Sequence, residues 1–378
     1  MPTIIIAPDS FKGCLRSPQV CQYIANGIRS VMPNTKIISV PLADGGEGTT
    51  EAAVRATGGK LVNLTTSDPL GRSIQAQYGI MGNGTTAVME MAAASGIELL
   101  SSDELNPLIA STYGTGTILR AIIESGITDI IIGIGGSATN DGGIGMAQAL
   151  GYQFLDASQS PLPHNIGGGE LDKIVTIDSS TVIPQLKNCQ IKVACDVTNP
   201  LLGNNGASAI YGPQKGATPA MVKQLDNNLA NYAAVIINSK LAKNANLPGD
   251  GAAGGLGFGL RTLTGATITS GAKLIIDTVK LRDHLHNADW LITGEGCTDS
   301  QTAAGKLCSV VAATAAEYNV PTILLSGAVL CSLDELNGKF KAAFSITDRP
   351  LSLTEAIANA GANLTKQAAN IAGLIKTK

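Results

Sequence analysis

Aromatic side chains are scarce in this 378-residue chain: five Phe, seven Tyr and one Trp make up 3% of it. Its cores must be built from Ile, Leu, Val and Ala. Charged residues are also few, at 15%, and they nearly balance at a net −3. A nucleic-acid partner would need a basic stripe, so that class is excluded. Only three histidines occur, His164, His284 and His286, all outside the glycine-rich turns, which argues against Ser–His nucleophilic chemistry. The seven cysteines are odd in number, scattered and never spaced C-x-x-C. That pattern fits reduced thiols and suits neither a disulfide framework nor a zinc site. No apolar run reaches the roughly 18 residues needed to span a bilayer. Asp9 and Lys12 interrupt the apolar start, so no signal peptide is expected and the expected compartment is the cytoplasm. A Walker A loop, G-x-x-x-x-G-K-[S/T], is absent as well.

Glycine is abundant, with 44 residues, many gathered in short motifs, and hydrophobic residues reach 44%. The chain is too long for one ordinary core, so two domains are expected. The stretch Gly133–Gly143 reads GIGGSATNDGG between an apolar run at 129–132 and an apolar helix start at 144–150. It predicts strand, glycine-rich loop, helix. A helix start offers unpaired N–H groups to an anion, and Ser137, Thr139 and Asn140 add polar side chains. Asp141 suits such a site only if a cation intervenes, as in a magnesium–nucleotide site. Two other readings stay open here. One is a tight turn capped by Asn140 or Asp141. The other is dinucleotide binding, because residues 133–138 fit G-x-G-x-x-A and Asp156 follows at a suitable distance.

Residues 3–7 predict a buried first strand, followed by Asp9, Ser10, Lys12 and Gly13, and then a helix with Ser17 as N-cap and Pro18 in its first turn. Residues 36–41 predict a second strand, leading into Asp44-Gly45-Gly46-Glu47-Gly48. Asp44 and Glu47 either cap the next helix or face a ligand. Residues 61–65, 74–80 and 86–91 read as strands separated by turns at 68–71 and at Asn83-Gly84, a hairpin signal, and a domain crossing is placed near residue 75. The strand at 191–195 ends at Asp196, beside Asn199. In a chain so short of histidine, Asp196 is the preferred acid–base candidate; its alternative is an Asx-turn before Pro200. Residues 211–217 form a polar turn holding Lys215. The strand at 289–293 leads into Glu295, Asp299 and Lys306, and two more strands and a final helix follow. The two ends of the chain are expected to share one sheet with the middle inserted.

Buried strand, glycine-rich turn, carboxylate and nearby lysine thus recur along the chain. Carboxylates, amide donors and lysines converging at strand ends are what magnesium-assisted phosphoryl transfer needs. The motifs around Asp9–Gly13, Asp44–Thr49, Gly133–Gly145, Asp196–Leu201, Gly212–Ala217 and Gly294–Lys306 together resemble those of the bacterial type I glycerate kinases. The resemblance implies two α/β domains. One is discontinuous and Rossmann- or flavodoxin-like (residues 1–75 plus 287–378); the other is an inserted mixed-sheet domain (76–286), with the active site in the cleft between them. It implies ATP-dependent, Mg²⁺-assisted phosphorylation of D-glycerate to 2-phospho-D-glycerate, with the 3-phosphate as the alternative and a dinucleotide-dependent oxidoreductase less favoured.

Carried over residue by residue, the resemblance makes Asp196 the base and sets Lys12 and Asp9 beside it as catalytic groups. Ser10, Asp44, Glu47, Asn199, Glu295, Asp299 and Lys306 become substrate contacts. Gly135, Gly136, Ser137, Thr139, Asn140 and Lys215 become nucleotide contacts, and Asp141 and Asp299 metal ligands. The expected partners are D-glycerate and ATP, with no nucleic acid and no membrane; a homodimer is compatible with the reading.

Overall fold

The computed structural model describes residues 1–43, 45–303 and 306–376. The chain divides into two compact units. The first comprises residues 1–44, 51–58 and 271–378; the second comprises 45–50 and 59–270.

The first unit is built on a five-stranded, wholly parallel sheet. Its strands lie in the spatial order Lys36–Ser39, Thr3–Ile6, Trp290–Thr293, Thr322–Ser326, Ala342–Ser345. Numbered along the chain this is 2-1-3-4-5, the flavodoxin-like order, whose switch point falls between the first and third strands. Ile4 and Ile6 face one apolar cluster, with Ile24, Ile28, Leu364 and Ile371 of the helices Ser17–Val31 and Ala360–Lys376. Ile5 and Leu291 face another, with Ile275, Leu281 and Val311. Covering both faces is why the strands read as unbroken apolar runs. The ends of the chain do share this sheet. At the first helix the cap is Arg16, not Ser17. Ser17 Oγ instead donates to Pro8 O (2.8 Å) and accepts from Leu42 N (3.0 Å), tying together the two segments that leave the first two strands.

The second unit holds a six-stranded mixed sheet in the order Thr267–Thr269, Gln190–Ala194, Asp129–Gly133, Thr86–Glu90, Ser73–Ile80, Lys60–Ser67. The first four are parallel and the last two antiparallel. The boundary therefore differs from the expected crossing near residue 75. Lys60–Ser67 pairs along its whole length with Ser73–Ile80, Lys60 opposite Ile80 and Ser67 opposite Ser73, so this hairpin cannot be split between domains. At the other end, residues 271–286 belong to the first unit, because Ala272, Ile275, Leu281 and Leu285 fill its core. No helix of the described residues is long and apolar enough to cross a membrane.

Candidate active site

In the first unit the polar residues gather where the first and third strands diverge. Asp9 N donates to Gly294 O (2.8 Å) and Thr293 Oγ1 to Ala7 O (2.8 Å), so the two exits run side by side. Gly294 is obligatory there: a Cβ would lie 1.8 Å from Leu325 O. Asp9 is buried and accepts from Ser10 N at 2.6 Å. Phe11 N donates to Leu15 O (2.8 Å), closing a tight turn with Lys12 exposed at its tip. Glu295 Oε1 accepts from Thr298 Oγ1 (3.0 Å), whose oxygen also pairs with Ser326 Oγ (2.8 Å). Burial pushes the Glu295 carboxyl above its ordinary range, against the opposing pull of the Thr302 and Thr298 hydroxyls and Lys306. Lys306 Nζ stands 4.0 Å from Asp299 Oδ1. Asp9, Ser10, Lys12, Glu295 and Lys306 line one pocket of about 600 Å³. In open α/β sheets the carboxyl end of the switch point is where ligands bind.

The second unit has its own strand-end surface. Asp196 follows the strand Gln190–Ala194, is exposed, and accepts from Ser270 Oγ at 2.9 Å. Asn199 is held on both sides: its Nδ2 donates to Asn205 O (2.9 Å) and its Oδ1 accepts from Tyr211 Oη (2.7 Å). Glu47 is exposed. Asp44 lies outside the described residues. Glu90, which sequence reasoning missed, ends the strand Thr86–Glu90 and accepts from Gly48 N (3.1 Å) and Thr50 N (2.6 Å). It thereby caps the start of the helix Thr49–Thr57. Burial raises its carboxyl above the ordinary range. A carboxylate closing an apolar strand was the available signal.

The Gly133–Gly143 loop packs closely against its own unit. A Cβ on Gly133 would lie 2.4 Å from Gly45 O, so the two glycine turns pack backbone to backbone. Some of the loop's amides are spent inside the unit. Gly135 N points to Gly45 O (3.4 Å), Ala138 N to Ser95 O (2.9 Å) and Gly142 N to Gly254 O (3.0 Å). Asp141 is wholly buried and accepts from Thr112 N (2.8 Å), Thr112 Oγ1 (2.7 Å), Gly143 N (3.1 Å) and Gly145 N (3.3 Å). Lys215 is also buried and donates from Nζ to Ser137 Oγ (2.7 Å) and Thr139 O (2.6 Å). Burial pushes its ammonium down to about 7, opposed by the charge of Asp141, whose own carboxyl burial pushes up. Asn140 Nδ2 donates to Ser208 Oγ (3.0 Å). Only Gly135 and Gly136 are exposed; Thr139, Asn140, Asp141 and Lys215 brace the loop from behind and Ser137 is nearly covered. The nucleotide contact expected of Lys215 and the metal ligand expected of Asp141 are corrected accordingly, because their polar atoms are committed to the fold. Thr139 Oγ1 and Asn140 Oδ1 are buried without a hydrogen-bond partner among the described residues.

Among the described residues no group of three or more His, Cys, Asp and Glu side chains is placed to hold a metal ion. Magnesium asks for less: one or two carboxylates, with the rest from substrate phosphates and water. Asp299, its side chain 41% exposed, lies near Glu295, whose carboxyl its charge pushes further up.

The model of the family described as "Glycerate kinase family" matches residues 4–376. The chain belongs to the glycerate kinase family. A "Glycerate 2-kinase" of Escherichia coli (strain K12) is 45% identical over 373 residues, covering 98% of this chain and 97% of that relative. A "Glycerate kinase" of Haemophilus influenzae is 42% identical over 375 residues, 99% of each. A crystal structure described as a glycerate kinase 2 from Salmonella typhimurium LT2 has a TM-score of 0.89 at 42% identity, covering 100% of this chain and 98% of that one. This glycerate kinase family member is thus an enzyme of the phosphotransferase class. The dinucleotide reading fails on geometry. Asp156 follows Gln153–Leu155, which pairs with Thr176–Asp178 outside the main sheet, and its carboxylate is occupied by Ser158 N and Ser160 N. It is not at the end of the strand next to the glycine loop, where a ribose-binding acid belongs.

Proposed function

We propose that the protein transfers the terminal phosphoryl group of ATP to D-glycerate, giving 2-phospho-D-glycerate. The observation that carries the chemistry is Asp196: an exposed carboxylate at a parallel strand end, one oxygen held by Ser270. In this reading Asp196 accepts the proton of the C2 hydroxyl as that oxygen bonds to phosphorus and the bond from phosphorus to the leaving ADP oxygen breaks. Tyr211 and Asn205 hold Asn199 to orient the acid. Lys12 and Lys306 supply positive charge to the phosphates, with Ser10 and Asp9 beside them. Glu295 and Asp299 would hold Mg²⁺, which when bound neutralises charge on the phosphate oxygens. The printed name of the Escherichia coli relative favours the 2-phosphate over the 3-phosphate. Seven free thiols agree with work in the cytoplasm.

The test is ADP release by the purified protein. Release that needs both D-glycerate and Mg²⁺, and stops on chelation, supports the reading. ADP release independent of glycerate, or none with folded protein, rejects D-glycerate as the acceptor.

A further inference from the structure

The pocket of the first unit is too large, and its lining too apolar, for a three-carbon acid. At roughly 30 Å³ per non-hydrogen atom, water's share of its own liquid volume, the seven such atoms of glycerate fill about 210 Å³. The pocket offers about 600 Å³. That volume lies in the range of roughly 300–1,000 Å³ usual for pockets that hold drug-sized ligands. The lining mixes two chemistries: Phe11, Ile346, Leu353 and Ile357 are apolar, and Lys12, Glu295 and Lys306 are charged. Leu353 is 77% exposed and Ile357 41% exposed. Large aliphatic side chains left in water beside a charged rim mark a surface that a ligand covers. Glycerate is polar at every carbon and has nothing with which to cover it.

A nucleoside phosphate matches both kinds of lining, with a flat apolar base at one end and a polyanion at the other. The pocket also lies at the switch point of a 2-1-3-4-5 sheet. The glycine loop of the second unit is the competitor, with the amides of Gly135, Ala138, Gly142 and Gly143 spent on Gly45, Ser95, Gly254 and Asp141.

We infer that this pocket holds the nucleoside of the phosphoryl donor, its base against Phe11, Ile346, Leu353 and Ile357 and its phosphates toward Lys12 and Lys306. The assignment rests on the kinase reading above and adds where the donor's base sits. It makes Leu353 and Ile357 binding residues for the donor and not for the acceptor.

Binding, measured without turnover, tests it. Calorimetric titrations of the full chain with ADP, and separately with D-glycerate, are compared for wild type, Leu353→Asp and Ile357→Asp. Both side chains are exposed, and circular dichroism checks that the fold is kept. The expected result is ADP affinity at least tenfold weaker in both variants, with D-glycerate affinity unchanged. Photolabelling of the wild type with 8-azido-ATP needs no variant, and the label is expected within residues 346–360. ADP affinity within twofold of wild type in both variants, weakened D-glycerate binding instead, label within residues 133–143, or no ADP binding by the wild type would each overturn the assignment. Weakened ADP binding in a protein that never phosphorylates glycerate would leave the pocket assignment standing and sink the D-glycerate reading alone.

Discussion

The first unit's pocket and the second unit's glycine loop carry the same residue types and use them in opposite ways. In the first unit Lys12 is exposed on a turn, and Lys306 and Asp299, each with side chains about two-fifths exposed, stand 4.0 Å apart at the pocket's edge. In the second unit Lys215 and Asp141 are buried, each bonded to the glycine loop or its neighbours. A lysine and a carboxylate near a glycine turn can therefore serve a ligand or serve the fold. Solvent access decides which. Exposed charges contribute little to stability and are available for binding. Buried ones, once hydrogen-bonded, become expensive to remove.

The sharpest way to test that contrast is to neutralise charges on each surface and ask whether turnover or folding suffers. The largest effect is expected at Asp196→Asn. Loss of a general base should lower kcat by roughly 10²–10⁴, while thermal unfolding stays at the wild-type temperature. Lys12→Ala should lower kcat/KM by on the order of 10²–10³, the usual cost of one charge-stabilising donor, again without loss of stability. A Lys12→Ala protein that melts early would break the comparison. Asp141→Ala should behave the other way. It strands three backbone N–H groups and the Thr112 hydroxyl in the interior, so denaturant unfolding should show a loss of roughly 3–5 kcal/mol.

Lys215 gives a pH signature. Its ammonium is held down to about 7, from an ordinary 10.5. Between those values the unfolded chain binds the proton and the folded chain does not, so stability should rise with pH across that window and level off below it. Comparing wild type with Lys215→Met at pH values on both sides of 7 isolates the slope, which the variant should lack. A slope of the same size in both would show that Lys215 is not its source. The smallest effect is expected at Lys306→Met. Because the Lys306–Asp299 pair is long and partly exposed, unfolding stability should move by less than about 0.5 kcal/mol.

Much of the fold was legible in the sequence. Apolar β-branched runs at 3–6, 129–133 and 190–194 became central strands, and the Asn83-Gly84 signal became the turn between two antiparallel strands. The sharing of one sheet by both chain ends was legible from the alternation of strands and helices near each terminus. The domain boundary was misjudged because a turn at 68–71 shows where the chain reverses and not which sheet it serves. The site was legible as a set of residue types and less so as roles. Asp196 lies just past the strand Gln190–Ala194 and Lys12 on the turn beyond Thr3–Ile6, and both are exposed. Asp141 and Lys215 were misjudged because their burial is imposed by groups distant in sequence, such as Thr112 and Ser137. The helix after the loop begins at Ile144, and the amides of Gly143 and Gly145 at its start are consumed by Asp141. A local motif records that such amides exist, not whether a side chain already uses them. Glu90 escaped for the same reason: it caps a turn forty residues away.

The central claim is a phosphoryl transfer to the C2 hydroxyl of D-glycerate, and ³¹P NMR of the product tests it most directly. Purified protein, MgATP and D-glycerate are incubated beside a control without glycerate. The account predicts a glycerate-dependent phosphomonoester signal split by one proton. A signal split by two protons would place the phosphate on C3 and contradict the assigned hydroxyl, and the absence of any phosphomonoester from folded protein would contradict the claim itself.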